Sequence, residues 1–230
     1  INAQNFNCLN SACTQAELNP FNNTTYLVEN YMTGNCSFTD TIVVLTDPTV
    51  LIGQARDTSQ NPVTSSKVYR FQFDAGLDSV FVLDSTTTDA AGFYSFSLRI
   101  DSFLLKVSPN STTYPMWLPT YYDAKVVVPM ADFLYPDYCD TLELIHEVLS
   151  GVNLGGPGFI EGIVSQGAGR ALGDPVPGVE IVLMDANEDP VQYTKTDEDG
   201  EFRFENLVSG DYCAYVDRWL IQNNIAPMIT

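Results

Sequence analysis

Short apolar runs bounded by turn-forming residues dominate the hydrophobic pattern of this chain. The runs at 41–45, 80–83 and 179–183 are rich in β-branched and other apolar residues, and 15 Gly and 13 Pro are scattered along the chain. Segments with the 3.6-residue period of an amphipathic helix are scarce. Because this pattern is typical of strands joined by tight turns, the sequence predicts an all-β fold.

One short cassette occurs twice. It reads TDAAGFYSF at 88–96 and TDEDGEFRF at 196–204, so both copies place Thr-Asp and then Gly ahead of alternating aromatic residues. Asp and Gly favour a β-turn, and the alternation puts the aromatic rings on one face of the following strand. Gly92 and Gly200 fit turn positions that need a positive φ. The copies lie 108 residues apart, about the length of one small sandwich, which predicts consecutive similar modules.

The chain is divided here into three modules and a linker. Residues 1–49 hold a hairpin with no partner sheet, and residues 50–150 a first sandwich. Residues 151–158, GVNLGGPG, are the linker, and residues 159–230 hold a second sandwich without its last strands. We therefore expect a piece of a longer protein. An open sheet edge invites strand addition, so the expected partners are neighbouring domains of the same chain, other copies or surface proteins.

Charge excludes two classes of partner. The formal net charge is −19, from 29 acidic and 10 basic residues. A nucleic-acid-binding surface needs a basic patch, and so does binding of a polybasic segment to anionic lipid, but no such patch is visible. No apolar run of 18 residues exists, so no transmembrane helix is predicted, and the first residues do not resemble a signal peptide.

The cysteines favour an oxidising compartment. Cys8 and Cys13 lie close together in an Asn-rich stretch, where a local disulfide is predicted. The pairing of Cys36, Cys139 and Cys213 is left open. A zinc site is disfavoured because His146 is the single histidine of the chain.

The stretch 158–216 carries a dense set of Gly, Pro, Asp and aromatic positions. These positions are Gly162, Val164, Pro175, Pro177, Gly178, Val179, Ile181, Leu183, Asp185, Thr194, Asp197, Gly200, Phe202, Phe204, Leu207, Gly210, Tyr212, Ala214 and Val216. In this set the stretch resembles carboxypeptidase-regulatory-like, transthyretin-like and Cna-B-type modules. Residues 50–150 match the same pattern more loosely. The resemblance implies tandem Ig-like, transthyretin-like (prealbumin-like) β-sandwiches in a string.

The N-terminal residues carry a second resemblance. Its positions are Cys8, Cys13, Pro20, Thr24, Thr25, Tyr26, Val28, Cys36, Thr39, Asp40, Thr41, Ile42 and Val44. These resemble the last third of Ig-like or PKD-like repeats of large bacterial surface proteins. Together the modules are similar to segments of secreted proteins of Bacteroidota that are exported by the type IX system. This resemblance implies an extracellular stalk, adhesin, filament or gliding-motility component.

Catalysis is not expected. A His-based triad would rest on His146 alone, which lies in a predicted strand, and the chain has no Gly-x-Ser-x-Gly elbow and no phosphate-binding Gly loop. Resemblance to Cna-B modules raises the question of a Lys–Asn isopeptide bond. The first strand at 159–164 has no Lys, and Asn206 stands at the position of the promoting acid, so no such bond is predicted.

Three further sites are hypotheses. Oxygen ligands in two loops could bind Ca²⁺ if the fold brings the loops to one end, although Asp and Asn are also ordinary turn residues. These ligands are Asp185, Asn187, Asp189, Asp197 and Asp199. Aromatic residues in a Pro-framed loop could stack on sugar rings, or could cover the end of the sandwich or the interdomain joint. They are Trp117, Tyr121 and Tyr122. Resemblance to Bacteroidota O-glycan motifs singles out Thr41, Ser79, Ser85 and Thr141.

The sequence thus favours a non-catalytic structural or adhesive segment of a secreted surface protein. One alternative is a carbohydrate-binding accessory module of a secreted enzyme. Another is a regulatory extension of an outer-membrane receptor.

Overall fold

The computed structural model describes residues 6–8, 16–18, 24–32, 36–44, 49–74, 79–98, 102–136, 141–168, 171–217 and 227–229. This part of the chain is built from strands, with one short 3₁₀ helix at Val128–Met130, and the all-β prediction is confirmed. The strands are β1 Phe6–Cys8, β2 Ala16–Leu18, β3 Thr24–Met32, β4 Cys36–Val44, β5 Thr49–Asp57, β6 Lys67–Asp74, β7 Ser79–Thr87, β8 Phe93–Leu98, β9 Leu104–Ser108, β10 Thr120–Tyr121, β11 Thr141–Val148, β12 Gly158–Ala168, β13 Ala171–Pro175, β14 Glu180–Asp185, β15 Pro190–Lys195, β16 Glu201–Leu207, β17 Tyr212–Val216 and β18 Pro227–Ile229. No helix in these ranges is long and apolar enough to cross a membrane.

The first sandwich packs two sheets against each other. One sheet has the order β11-β5-β8, in which β5 runs parallel to β11 and antiparallel to β8. The other has the order β10-β9-β6-β7 and is antiparallel. Both sheets contribute to the core, whose buried members include Leu51, Phe96, Leu105, Val107 and Val148.

The second sandwich is likewise built from two sheets, and its pairings are antiparallel. Its sheets have the orders β13-β12-β16 and β15-β14-β17, and the backbone of β18 pairs antiparallel with β12. Val164, Ile181, Leu183, Phe202 and Phe204 form the centre of its core. Two-stranded pairings, β1 with β2 and β3 with β4, precede the first sandwich along the chain.

The repeated cassette adopts the predicted conformation in both copies. Gly92 and Gly200 have φ of 78° and 73°. In each copy one Asp side-chain oxygen accepts hydrogen bonds from the backbone N–H groups two and four residues further on, at 2.8 and 2.9 Å from Asp89 and at 3.0 and 2.9 Å from Asp197. A Cβ on either Gly would lie 2.5 Å from a carbonyl oxygen of the facing strand. The prediction of an Asp–Gly turn is therefore confirmed.

The aromatic alternation after each turn is also confirmed. In β8 the side chains of Tyr94, Phe96 and Leu98 are buried while the residues between them are exposed. In β16 Phe202 and Phe204 face the core in the same way. A strand with one face on a core and one face in water has this two-residue period.

Two strands depart from that period because both of their faces are covered. The first four residues of β9 and the first five of β14 are all buried. One face of each strand points into its own sandwich core. The other face of β14 carries Val182 and Met184, which pack with Leu118, Val126 and Val127 of the first sandwich. The sheets β10-β9-β6-β7 and β15-β14-β17 therefore meet at a joint between the sandwiches.

Candidate functional site

The joint encloses a buried lysine. Lys106 lies on β9 with its side chain 1% exposed, and its Nζ is 2.6 Å from Glu180 Oε2 and 2.5 Å from Asp217 Oδ2. Both carboxylates belong to the second sandwich and are at most 1% exposed. Buried charges are tolerated when they are paired and hydrogen-bonded. We call Lys106, Glu180 and Asp217 the joint cluster.

Asp217 reaches into the first sandwich. It follows β17 directly, and its backbone N–H donates to the Glu180 carbonyl oxygen at 2.9 Å, which orients the residue. Besides Lys106, its carboxylate accepts a hydrogen bond from the Tyr121 hydroxyl at 3.0 Å and one from the Val128 N–H at 3.2 Å. All three donors belong to the first sandwich. They form a receptor for one carboxylate of the second.

Glu180 is held mainly from its own sandwich. Its Oε1 accepts a hydrogen bond from the Tyr193 hydroxyl at 2.9 Å and lies 3.2 Å from Lys195 Nζ. Its Oε2 receives Lys106. Glu180 begins β14, and two-residue alternation places it on the same face as Val182 and Met184. One face of β14 thus contributes both apolar and charged side chains to the joint.

The electrostatics of the cluster favour the charged form of Lys106. Burial by itself lowers the pKa of Lys106, but the carboxylates of Asp217 and Glu180 outweigh burial and raise it above its ordinary value. Burial raises the pKa of Tyr121 well above its ordinary value, and Asp217 raises it further. Burial and then Glu180 raise the pKa of Tyr193. The ammonium ion also lies 4.6 Å from the centre of the Tyr121 ring, a cation–π distance.

The linker is fixed to both sandwiches. The N–H of Gly151 donates to the Met116 carbonyl oxygen at 2.6 Å, and the N–H of Val152 donates to that of Val191 at 2.7 Å. Further along, a Cβ on Gly156 would lie 2.1 Å from the Leu207 carbonyl oxygen, so only Gly allows this approach. The linker is therefore an ordered part of the joint.

An open cleft of about 330 Å³ lies beside the linker, and the charged residues that line it are Arg203 and Glu205. Arg203 is already engaged, because its guanidinium pairs with Glu161 and Glu205 and lies 4.0 Å from the centre of the Phe159 ring. The described residues around the joint thus bind the two sandwiches to each other and orient them.

The hypothetical sugar-stacking platform does not form. Tyr121 is 1% exposed, with its hydroxyl bound to Asp217, so it cannot stack on a sugar, and its assignment to such a platform is wrong. Trp117 and Tyr122 pack against the core of the first sandwich. Trp117 lies 4.8 Å from the Tyr114 ring, and Tyr122 meets the His146 ring edge-on at 6.1 Å. The alternative, that these rings cover the end of the sandwich, describes this packing.

The loops of the expected calcium site lie apart. Asp185, Asn187 and Asp189 precede β15, whereas Asp197 and Asp199 follow it, so the two loops lie at opposite ends of one extended strand. The expectation that the fold brings them to one end is wrong. In each loop one Asp side-chain oxygen instead accepts hydrogen bonds from two backbone N–H groups, as in ordinary Asx turns. Among the described residues no group of three or more His, Cys, Asp or Glu could hold a metal ion.

His146 is the strand residue that the sequence predicts. It lies in β11 at 0% exposure, and its Nε2 donates to the Thr120 carbonyl oxygen at 2.8 Å. Its Nδ1 lies 3.4 Å from the Tyr94 hydroxyl. Burial lowers the pKa of His146 to about 4, so the ring is neutral at pH 7.

The modification sites remain predictions. Thr41, Ser85 and Thr141 are exposed, as a glycan-bearing hydroxyl must be, while the side chain of Ser79 is outside the described residues. The predicted Cys8–Cys13 disulfide also falls outside them, because Cys13 is not described. Cys213 is exposed with a free thiol.

Sequence reasoning missed the joint cluster. The isopeptide pattern requires a Lys in the first strand of the second sandwich, whereas Lys106 comes from the first sandwich. A signal was present, because Lys106 and Glu180 each interrupt a run of apolar residues. A charged residue inside such a run indicates a strand covered on both faces, where the charge needs a buried partner.

The fold and joint define a pair of packed β-sandwiches. Comparison with known proteins gives a family match for the second sandwich. Residues 160–218 match the carboxypeptidase regulatory-like domain family, which confirms that resemblance for this part of the chain. Colossin-A of Dictyostelium discoideum is 49% identical over 41 residues, 18% of this chain and 0% of that protein to the nearest per cent. Serine-aspartate repeat-containing protein I of Staphylococcus saprophyticus is 42% identical over 43 residues, 19% of this chain and 2% of that protein. The chain thus spans a very small part of the length of these relatives.

Among solved structures, the shaft pilin SpaA from Lactobacillus rhamnosus GG is similar to this chain with a TM-score of 0.34 and 8% identity. The match covers 79% of this chain and 92% of the pilin.

Proposed function

We propose that this chain is a structural or adhesive segment of a larger, secreted cell-surface protein, and that it has no catalytic role. The observation that carries the proposal is the joint. Two sandwiches of one design are held together by a buried ionic cluster, an apolar contact and an ordered linker. A rigid pair of this kind serves as a spacer that keeps other parts of a long protein at a set distance.

The state of the reactive side chains supports a mechanical role. Lys106, His146 and Tyr121 carry groups that can transfer protons or act as nucleophiles, and all three are buried in internal contacts. An enzyme instead keeps such groups at a cavity where a substrate can reach them. The local identity to segments of much longer proteins also fits a module of a large chain.

Finer parts of the proposal come from sequence resemblance. They are export by the type IX system, O-glycans on exposed Ser or Thr, a role in filaments or gliding motility, and partners that add a strand to an open sheet edge. Edge strands present unpaired backbone groups to such a partner.

Surface location is tested with antibodies raised against the folded chain. Intact cells of the source organism are labelled and compared with permeabilised cells, with a cytosolic protein as the control. We expect equal labelling of intact and permeabilised cells. Labelling that requires permeabilisation would refute surface exposure.

The spacer role is tested separately by small-angle X-ray scattering of the purified chain. We expect one fixed arrangement of the two sandwiches at low and high salt, because the joint is buried and poorly screened. A profile that only a freely jointed pair can fit would refute the rigid spacer.

A further inference from the structure

We infer that the joint cluster acts as an orientation lock, selecting one arrangement of the two sandwiches among those that the apolar contact alone would allow. The inference concerns the geometry of the joint and holds whether or not the chain is a surface spacer. Three observations carry it.

The first observation is the division of the charges. The lysine belongs to the first sandwich, and both carboxylates belong to the second. Sliding one sheet along the other while the sandwiches stay docked separates these charges inside the joint. An uncompensated buried charge is strongly unfavourable, so arrangements that separate the charges are suppressed.

The second observation is that the hydrogen bonds of the cluster are satisfied. Asp217 has three donors and Glu180 has donors on both oxygens. Among the described residues the only buried side-chain nitrogen or oxygen without a hydrogen-bond partner is Ser165 Oγ, outside the cluster. Such a set of directional hydrogen bonds is satisfied in only one relative position of the two sandwiches. A buried polar group that must be paired is an attested way of fixing the register of packed elements.

The third observation is the character of the remaining contact. Leu118, Val126 and Val127 meet Val182 and Met184 through aliphatic atoms, and Leu149, Tyr193 and Tyr215 pack against this group. Hydrophobic contact is non-directional, and Met in particular adapts to altered surroundings. The apolar surface therefore favours docking but discriminates weakly among docked arrangements, which leaves the choice to the directional bonds of the cluster, alongside the backbone hydrogen bonds of the linker.

The test uses the full chain and three variants. Lys106→Met removes the cation and leaves two buried carboxylates together. The triple variant Lys106→Met/Glu180→Gln/Asp217→Asn removes every charge but keeps the acceptor oxygens for the Tyr hydroxyls and the backbone N–H. Lys125→Met is the matched control, because Lys125 forms a 3.8 Å ion pair with its side chain 38% exposed.

Two measurements are made on each variant. Amide hydrogen exchange reports opening of the joint through the N–H of Val128, which is bonded from the first sandwich to the second, and the N–H of Val152, which binds the linker to the second sandwich. Electron paramagnetic resonance distances between labels on unnatural amino acids at Ser59 and Glu198, both exposed and in different sandwiches, report orientation.

In Lys106→Met we expect exchange at the two joint amides to accelerate roughly a hundredfold or more, since removing one partner of a buried pair leaves unpaired charge. In the triple variant we expect most protection to return but the distance distribution to broaden or split. The control should match the wild type in both measurements.

Joint exchange in Lys106→Met within a factor of about three of the wild type would overturn the inference, because the removed ion pair is then unimportant. A single narrow distance in the triple variant, equal to that of the wild type, would also overturn it. If Lys106→Met fails to fold, the triple variant alone decides.

Discussion

Acid should destabilise the first sandwich through its one histidine. Burial lowers the pKa of His146 to about 4 in the folded chain, against an ordinary value of 6.5. Between these two values the unfolded chain binds more protons than the folded chain, so stability falls as the pH falls. The difference corresponds to a loss of about 2 kcal/mol at pH 5 and about 3 kcal/mol once the pH is below the folded value.

The assay compares the wild type with His146→Gln in urea unfolding at pH 7, 6 and 5, followed by tyrosine and tryptophan fluorescence. Glutamine keeps an N–H donor for the Thr120 carbonyl oxygen but does not titrate. Carboxylates titrate in both proteins, so the difference in slope isolates His146. We expect the wild type to lose about 2 kcal/mol more than the variant between pH 7 and pH 5.

Direct titration provides the decisive check. The chain has one His, so its imidazole resonances need no assignment. An NMR titration of the folded protein should place the pKa of His146 near 4. A value close to 6.5, or identical pH slopes in the two proteins, would refute the reasoning from burial.

Three further predictions concern the turns, the joint and the loops. Gly200→Ala should destabilise the chain by about 2–4 kcal/mol in thermal unfolding, since it adds a clash to the strain of positive φ; its new Cβ would lie 2.5 Å from the Val164 carbonyl oxygen. Gly178→Ala, with φ of 73° but open space around the new Cβ, is the control and should cost about 1 kcal/mol; equal losses would contradict the contact argument. The intact mass of the recombinant, non-glycosylated and fully reduced chain should equal the sequence mass, without the loss of one water that a Lys106–Asp217 amide bond would cause, because the raised pKa of Lys106 keeps its nitrogen protonated and non-nucleophilic. Melting temperatures should coincide in calcium and in chelator, because the two Asp-rich loops lie at opposite ends of β15; a rise in calcium would contradict this.

The structural repeat is closer than the sequence repeat. Gly92 and Gly200 face equivalent neighbours, a carbonyl oxygen at 2.5 Å, a proline Cβ at about 3.2 Å and a backbone nitrogen at about 3.3 Å. Thr88 and Thr196 likewise each accept a backbone N–H through the side-chain oxygen, at 3.0 and 2.9 Å. Each sandwich therefore contains a copy of the same turn, with the same side-chain and backbone contacts around it.

Local pattern was sufficient for the strands and turns. The cassette determined its own conformation, because the Asp side chain and the positive φ of Gly act within five residues. The alternating aromatic residues likewise predict which face of each strand is buried, as Tyr94 and Phe96 do in β8 and Phe202 and Phe204 do in β16. The family resemblance of the second sandwich rests on the same local positions and was visible in the sequence alone.

The joint was decided by tertiary structure. Lys106 and Asp217 are 111 residues apart, and no local rule brings them together. Their meeting depends on how one sheet packs against another, as does the hydrogen bond from the buried Tyr121 hydroxyl to Asp217. The separation of the Asp-rich loops is of the same kind, because only the path of β15 shows that they lie at opposite ends. Periodicity reports which face of a strand is apolar, whereas the partner of that face follows from long-range packing of the whole chain.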